Sequence, residues 1–213
     1  MKKDQGKELK DVKLFRQMVG SLIYLTITRP EISYSVGIVS QFMQCPTNVH
    51  LDATKRILRY VKGSIGHGLW YKKCDNVLLN GFVDADWMRD PNDRHSTSGY
   101  CFNMGFAVIS WCSKKQEVVA LSSTEAEYIA ATMAAQECTW LRRLIGDILG
   151  KVLSGEIELV NVKTNAQVAD IFTKALMKTK FMEFREVLGV SDREFALRGS
   201  VKIFSANCKE ESK

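Results

Sequence analysis

The sequence predicts an α/β fold preceded by a small α-helical segment. Three features support this prediction. Apolar residues recur at helical spacing from residue 14 to about 62, strand-like segments separated by turn residues begin near 78, and a long helical pattern covers 122–149. A long helix between strands supplies the crossover that a layered α/β fold needs.

The α-helical segment follows a charged start, residues 1–13, which is expected to be disordered. Its first helix should end before Pro30 and its second near Pro46, because proline cannot continue a helix. The third helix has apolar residues on one face and basic residues on another. The predicted helices cover residues 14–28, 32 to about 46, and about 49–62.

Short strands are predicted after the helical segment. Glycines at positions 63, 66 and 68 interrupt the helical pattern, and turn residues such as Pro91-Asn92-Asp93 and Gly105 separate the segments that follow. These segments should pair as a three-stranded meander, because consecutive strands joined by turns usually neighbour each other. They cover residues 78–87, 98–104 and 106–112.

The long helical pattern at 122–149 begins with two overlapping capping boxes, Ser122 with Glu125 and Thr124 with Glu127. Alanines and spaced leucines and isoleucines support the rest of this helix. One strand and two helices are predicted downstream, at 156–162, about 165–176 and 180–188. The tail, 191–213, has a mixed character and is assigned no element.

Basic residues are concentrated toward the N-terminal end. Residues 1–73 carry 13 lysines and arginines against 5 acidic residues, whereas the remaining residues carry 17 against 19. A basic surface favours polyanions, because phosphate contacts release condensed counterions. Four basic side chains on the third helix are explained equally well as a nucleic-acid contact or as a solvated helix face. They are Lys55, Arg56, Arg59 and Lys62.

The composition also bears on the cellular compartment. No apolar run is long enough to span a bilayer, and the N-terminus lacks the apolar segment of a signal peptide. A soluble, intracellular protein with no membrane partner is therefore expected. Six cysteines occur without a C-x-x-C pair, which argues against a zinc module or a disulfide framework. The oligomeric state is not indicated by the sequence.

Three carboxylates occupy places that converge in many open-sheet folds. Asp84 lies within a predicted strand, Glu127 in the first turns of the long helix, and Asp170 in the helix after the last strand. Clustered carboxylates suit Mg²⁺, a hard ion that prefers oxygen ligands, and two such ions activate water for phosphodiester hydrolysis. From position alone, the same three residues are also explained as solvated surface groups.

Longer motifs contain or flank these carboxylates. Residues 81–149 include DADW, RHSTSGY, ISWCSKKQ and LSSTEAEY, and this stretch closely resembles the RNase H domain of copia-type retrotransposon Pol polyproteins. Residues 155–176, GEIELVNVKTNAQVADIFTKAL, resemble the end of that domain. Upstream, residues 14–71, which begin LFRQMVGSL and end GSIGHGLWY, look like the end of the reverse transcriptase of the same polyproteins. Together these resemblances imply a helical remnant of reverse transcriptase at 14–73, an RNase H-like domain at 78–190, and a tail at 191–213.

The resemblance also implies an activity and its residues. The family hydrolyses the RNA strand of RNA–DNA hybrids with Mg²⁺, Mn²⁺ being an alternative, through four acids on an RNase H-like fold. Asp84 matches the first acid, Glu127 the second and Asp170 the last; Glu125 is the alternative to Glu127 and would otherwise cap the helix. Asp86 should share a face of the strand with Asp84. The expected partner is an RNA–DNA hybrid or another nucleic acid.

The third acid of the family is missing. In relatives it lies in a C-D-N-x-S-A segment after the long helix, whereas here the residues near 150 run almost directly into the next predicted strand. Asp75, in Cys74-Asp75-Asn76, precedes the first strand of the meander and is not assigned this role.

An internally deleted, truncated RNase H-like domain is therefore expected, and its activity should be impaired or lost. A non-catalytic nucleic-acid-binding remnant and a translated relic without function are the alternatives. In the truncated sheet, strand 156–162 is expected to fill the vacant place and pair in parallel with 80–86.

Overall fold

The structure is a computed structural model that describes residues 1–3, 5–71, 78–149 and 160–192. Its N-terminal part contains three α-helices and a 3₁₀ turn, which confirms the predicted helical segment. The elements are α1, Val12–Leu25, the turn Pro30–Ile32, α2, Ser33–Ser40, and α3, Asn48–Gly63. Helix α2 is shorter than its sequence pattern predicted, because the backbone after Ser40 makes turn bonds such as Phe42 N–H to the Val39 carbonyl.

Local capping and one apolar core hold these helices. Asp11 Oδ1 accepts a hydrogen bond from the Leu14 N–H at 2.9 Å and caps α1. At the start of α3 the Thr47 N–H donates to His50 Nδ1 at 3.0 Å. The Leu9 N–H donates to the Pro46 carbonyl, so part of the charged start is held against the connection between α2 and α3. The buried core side chains are Phe15, Val19, Leu22, Ile32, Val36, Val39 and Ile57.

Two antiparallel sheets follow in the part of the chain that the structure describes. The strands are β1, His67–Leu69, β2, Leu79–Asp86, β3, Thr97–Met104, β4, Ala107–Lys115, and β5, Val190–Asp192. Strands β2, β3 and β4 pair in that order and confirm the predicted meander. Strands β1 and β5 form a separate pair that the sequence did not predict, because three residues are too few to show a strand period.

The larger sheet is covered on both faces. On one face Phe102 packs with Ala134, Leu141 and Ile145 of α4, Ser123–Leu149, which confirms the predicted long helix. On the other face the C-terminal part packs through α5, Lys178–Val187, and the residues on either side of it. The buried side chains there are Cys101, Val108, Val168, Ile171, Phe172, Phe184, Leu188 and Val190. None of the described helices combines the length and the apolar content needed to cross a membrane.

One predicted helix differs from the structure, and one predicted strand is described only in part. The helix expected at 165–176 is instead a pair of short 3₁₀ turns, Thr164–Ala166 and Val168–Phe172. Gln167 separates them with ψ at 89°, and its Nε2 donates to the Val83 carbonyl of β2 at 2.9 Å, so a contact with the sheet replaces the helical repeat. Of the strand expected at 156–162, residues 156–159 lie outside the described residues, and 160–162 have no regular secondary structure.

Candidate acidic site

The structure brings Asp84 and Asp170 together. Asp84 lies near the end of β2, and Asp170 lies in the 3₁₀ turn Val168–Phe172, which packs on that strand. Lys174 Nζ lies 2.8 Å from Asp170 Oδ1 and 3.6 Å from Asp84 Oδ2, so one ammonium bridges both carboxylates. The Thr173 hydroxyl donates a further hydrogen bond to Asp84 Oδ2 at 2.5 Å.

A glycine on the neighbouring strand allows this close approach. Gly99 of β3 is the register partner of Asp84. A Cβ at Gly99 would lie 2.6 Å from Thr173 Cγ2 and 2.8 Å from Phe172 Cβ, so a side chain there would push the turn away from the sheet. Gly99, the glycine of the STSGY motif, therefore allows the turn that carries Asp170 to approach Asp84.

The two carboxylates and the ammonium are largely shielded from solvent. Their side chains are 17% exposed for Asp84, 8% for Asp170 and 27% for Lys174. Burial raises the pKa of Asp170, and the nearby Asp84 raises it further, while Lys174 opposes both effects. Burial lowers the pKa of Lys174, but the hydrogen bond to Asp170 and the negative charges of Asp84, Asp170 and Asp86 outweigh it, so this pKa is raised. The ammonium therefore stays charged at neutral pH.

Asp86 lies beside this pair with a partner of its own. Arg89 Nη1 is 3.1 Å from Asp86 Oδ2, and Asp84 and Lys174 are close enough to affect its titration. Burial is the largest cause of the raised pKa of Asp86. The alternation of β2 thus places Asp84 and Asp86 in one acidic region, as expected, but Asp86 is engaged by an arginine.

Glu127 and Glu125 are both exposed near the start of α4. Glu125 Oε2 accepts a hydrogen bond from the Leu121 N–H at 2.7 Å, and the Glu125 N–H donates to Ser122 Oγ at 3.1 Å. Glu125 therefore caps the helix, and the choice of Glu127 as the second acid stays a prediction. Within the described ranges, no three or more His, Cys, Asp or Glu side chains are grouped so that they would hold a metal ion.

The start of α4 is nevertheless fixed to the sheet beside the acidic pair. Gln116 Nε2 donates to the carbonyl of Ala126, at 2.9 Å, and to Ser98 Oγ, also at 2.9 Å. Ser98 precedes Gly99, the register partner of Asp84. The backbone just before Glu127 is thus anchored near the sheet, while the Glu127 side chain is exposed.

The four basic residues of α3 are all exposed. On the same helix Thr54 and Ile57 face the core, so the basic side chains occupy the solvent side. Lys55 lies 3.9 Å from Asp52 in an exposed ion pair, a contact of little energetic weight. The structure thus presents Lys55, Arg56, Arg59 and Lys62 on an open surface.

Sequence analysis did not single out Lys174 or Thr173. Both follow Asp170 in the quoted ADIFTK motif, and Lys174 is four residues after Asp170, a spacing that brings side chains together within helical turns. This spacing was the available signal. The contact of both residues with Asp84, ninety residues or so earlier, depends on the fold.

Comparison with known proteins shows homology to retrotransposon Pol polyproteins, and the copia type fits. The chain is 38% identical over 226 residues to the Retrovirus-related Pol polyprotein from transposon RE1 of Arabidopsis thaliana, a match that covers 87% of this chain and 15% of the relative. It is 33% identical over 216 residues to the Retrovirus-related Pol polyprotein from transposon TNT 1-94 of Nicotiana tabacum, covering 83% of this chain and 16% of the relative.

A shorter relative matches part of the chain. Secreted RxLR effector protein 161 of Plasmopara viticola is 46% identical over 124 residues, which are 58% of this chain and 87% of that protein. The chain spans about a sixth of the length of the Pol polyproteins it matches. No protein-family model matches it. No solved structure matches it either.

Proposed function

We propose that this fragment of a retrotransposon Pol polyprotein carries a truncated RNase H-like domain with impaired hydrolysis of RNA–DNA hybrids. Asp84, Glu127 and Asp170 are its expected metal-binding acids, with Mg²⁺ or Mn²⁺ as the cofactor. The observation that carries the proposal is the convergence of Asp84 and Asp170 on one cationic group, while the described residues group no third metal-binding acid with them.

The lengths of the matches support an internal deletion. The RE1 match extends over 226 residues, but 87% of this 213-residue chain is about 185 residues. About 40 positions of the alignment therefore have no residue in this chain. The TNT 1-94 match shows a similar difference, since its 216 residues correspond to 83% of the chain. Unmatched positions in this number are compatible with loss of the segment that should contain the third acid.

The acids that remain fit one cation but not two. Oxygen atoms of Asp84 and Asp170 already converge on one positive centre, and carboxylate oxygens are suitable ligands for Mg²⁺. A hydrolytic site of this kind needs two ions to stabilise both the attacking and the leaving oxygen. With Asp86 paired to Arg89 and Glu127 exposed, this chain offers no complete set of ligands for a second ion among its described residues.

The direct test is cleavage of a labelled RNA–DNA hybrid by the full chain in Mg²⁺ and, separately, in Mn²⁺. The variant Asp84→Asn keeps the size of the side chain but removes the charge that both hydrolysis and metal binding require. We expect the original chain to cleave at most about threefold faster than that variant, because the loss of the third acid should already have weakened metal binding. Loss even of the residues that only support metal ligands lowers metal affinity or activity about 10- to 100-fold.

Efficient cleavage by the original chain is the outcome that would contradict the proposal. Rapid cleavage that depends on Mg²⁺ and disappears in Asp84→Asn would show an active hydrolase, and the proposed impairment would be wrong. An authentic RNase H enzyme, assayed in parallel on the same hybrid, establishes that the substrate is cleavable.

Binding of nucleic acid without cleavage is the second candidate function. It is favoured by the exposed basic face of α3, formed by Lys55, Arg56, Arg59 and Lys62. Such side chains contact phosphates rather than base edges, so binding should be weak, independent of sequence and sensitive to salt. The remaining acidic pair is not needed for this role.

Replacing these four residues together by glutamine should reduce binding to an RNA–DNA hybrid at low salt and flatten its salt dependence. The measurement is fluorescence anisotropy with a labelled hybrid between 25 and about 200 mM salt. Lys13, Lys114, Lys178 and Arg143 are exposed basic residues outside the α3 face, and their joint replacement by glutamine removes an equal charge as a control. Equal affinity losses in both variants would leave α3 as an ordinary solvated helix face.

A further inference from the structure

We propose that the ammonium of Lys174 takes the place of a divalent cation between Asp84 and Asp170, so that a metal ion must displace it to bind. This inference deepens the proposed function and rests on the same pair of acids. It concerns how the site is regulated, and it assigns a role to a residue that the sequence analysis did not select.

The position of the ammonium supports this role. Lys174 Nζ is within 4 Å of one oxygen from each carboxylate, at 2.8 Å from Asp170 and 3.6 Å from Asp84. A metal ion held by both acids would have to bind the oxygen atoms that now face the ammonium. The ammonium and the metal ion therefore compete for one location. Two positive charges in contact with the same carboxylate oxygens would repel each other strongly in a partly buried site.

The balance of charges around the acidic pair also disfavours binding of a divalent ion while the ammonium is in place. Asp84 and Asp170 together contribute two negative charges, and Lys174 neutralises one of them. Arg89 neutralises Asp86 in a separate pair beside them. A divalent ion that approaches this region consequently meets one uncompensated negative charge instead of three. Two cationic side chains of this chain therefore weaken the attraction of the acidic region for a divalent ion, in addition to the expected loss of the third acid.

The backbone next to Lys174 is held at the acidic pair. Thr173 is buried and binds Asp84 through its hydroxyl, and its N–H bonds to the carbonyl of Asp170. The backbone that leads into Lys174 is therefore tied to both acids. The lysine is attached to the site that its ammonium occupies, so the local concentration of the competing cation is high.

Calorimetric titration of the full chain with Mn²⁺, in the absence of nucleic acid, tests the inference. We expect Lys174→Met, which keeps most of the side-chain volume without the charge, to bind Mn²⁺ at least about tenfold more tightly than the original chain. The double variant Asp84→Asn with Lys174→Met should lose this gain, which locates the added binding at the acidic pair.

Lys180→Met is the matched control. Lys180 is also 27% exposed and also forms an ion pair, but with the single carboxylate of Glu183. Its replacement removes the same charge from the same part of the chain and should leave Mn²⁺ affinity within about twofold. Equal Mn²⁺ affinity in the original chain and in Lys174→Met would overturn the inference, as would an equal gain in Lys180→Met.

Lys174→Met also has a measurable outcome if it is unfolded without metal. Mn²⁺ should then restore the circular dichroism spectrum of the original chain, since the ion replaces the missing ammonium. Failure of millimolar Mn²⁺ to restore it would overturn the inference. The titration contains no hybrid, so its result is independent of whether the chain cleaves RNA.

Discussion

Two lysines in this protein each bridge two aspartates, and the comparison separates a structural contact from a candidate functional one. Lys115 of β4 lies 2.5 Å from Asp90 and 2.6 Å from Asp93, both in the loop between β2 and β3. Lys174 bridges Asp84 and Asp170. The two lysine side chains are almost equally exposed, at 26% and 27%.

The aspartates respond differently at the two places. The pKa of Asp90 is lowered, because hydrogen bonds from Lys115 and from both the backbone and the side chain of Asn92 outweigh its burial. The pKa of Asp170 is raised, because burial and the facing Asp84 outweigh Lys174. Hydrogen-bond donors surround the first carboxylate, while a second negative charge faces the other.

This difference indicates which pair stabilises the fold. A carboxylate with a lowered pKa is more stable in its charged form in the folded protein than in the unfolded chain, so Asp90 adds to the free energy of unfolding at neutral pH. The raised pKa of Asp170 means the opposite, since its charged form is less favourable in the folded protein. Acids held together at a cost to stability are typical of functional sites.

The largest expected effect is on the structural bridge. Lys115→Met leaves Asp90 and Asp93 without their shared cation and should lower the free energy of unfolding by about 2 kcal/mol, the usual worth of hydrogen bonds to charged groups. Urea unfolding followed by circular dichroism measures this change. Lys114→Met is the control, because Lys114 pairs with Glu117 on the exposed surface and should cost less than about 0.5 kcal/mol. Similar losses in both variants would show that the bridge has no special weight.

Removing the charge of Asp90 and removing that of Asp170 should change the free energy of unfolding in opposite directions, by smaller amounts. Asp90→Asn should lower the free energy of unfolding at pH 7 by about 1 kcal/mol, because it removes a charged acceptor. Asp170→Asn should raise it, by less than this loss, because it removes a charge that the folded state disfavours. Both measurements need a chelator in the buffer, so that metal binding does not contribute.

The effect of Asp90→Asn should also depend on pH. The folded-state pKa of Asp90 is below its unfolded value, so its contribution is complete above the unfolded pKa of about 3.9 and is lost as the pH falls through the folded pKa. The original chain and the variant should therefore converge in stability in acid. Two results would contradict the assigned roles. One is a stability difference between the original chain and Asp90→Asn that does not shrink below a pH of about 3.9, and the other is a loss of stability in Asp170→Asn at pH 7.

Much of the fold follows from local patterns in the sequence. The meander was predictable because its strands alternate and are separated by turn residues such as Gly105, which has φ at 71°. The long helix α4 was predictable from its capping residues, and Glu125 does cap it. Strands β1 and β5 were missed, since each has three residues and its partner lies more than 120 positions away.

Part of the candidate site was also predictable from the sequence, and part depends on the fold. Motif resemblance selected Asp84, Glu127 and Asp170, and the structure places Asp84 and Asp170 side by side. The roles of all three as metal-binding acids stay predictions. The helix predicted around Asp170 is a 3₁₀ turn, because Gln167 bonds to β2 instead of continuing a helical repeat.

Residue type and local periodicity are properties of neighbouring positions, so the sequence was sufficient to select the acids and the basic residues and to predict the N-terminal helices, the meander and the long helix. Which charges come into contact depends on the folded chain. Lys174 reaches Asp84 because Gly99 lets the turn after Gln167 approach the sheet, a contact across ninety positions. Electrostatic energy depends on distance and burial in space, and the folded chain alone sets both quantities.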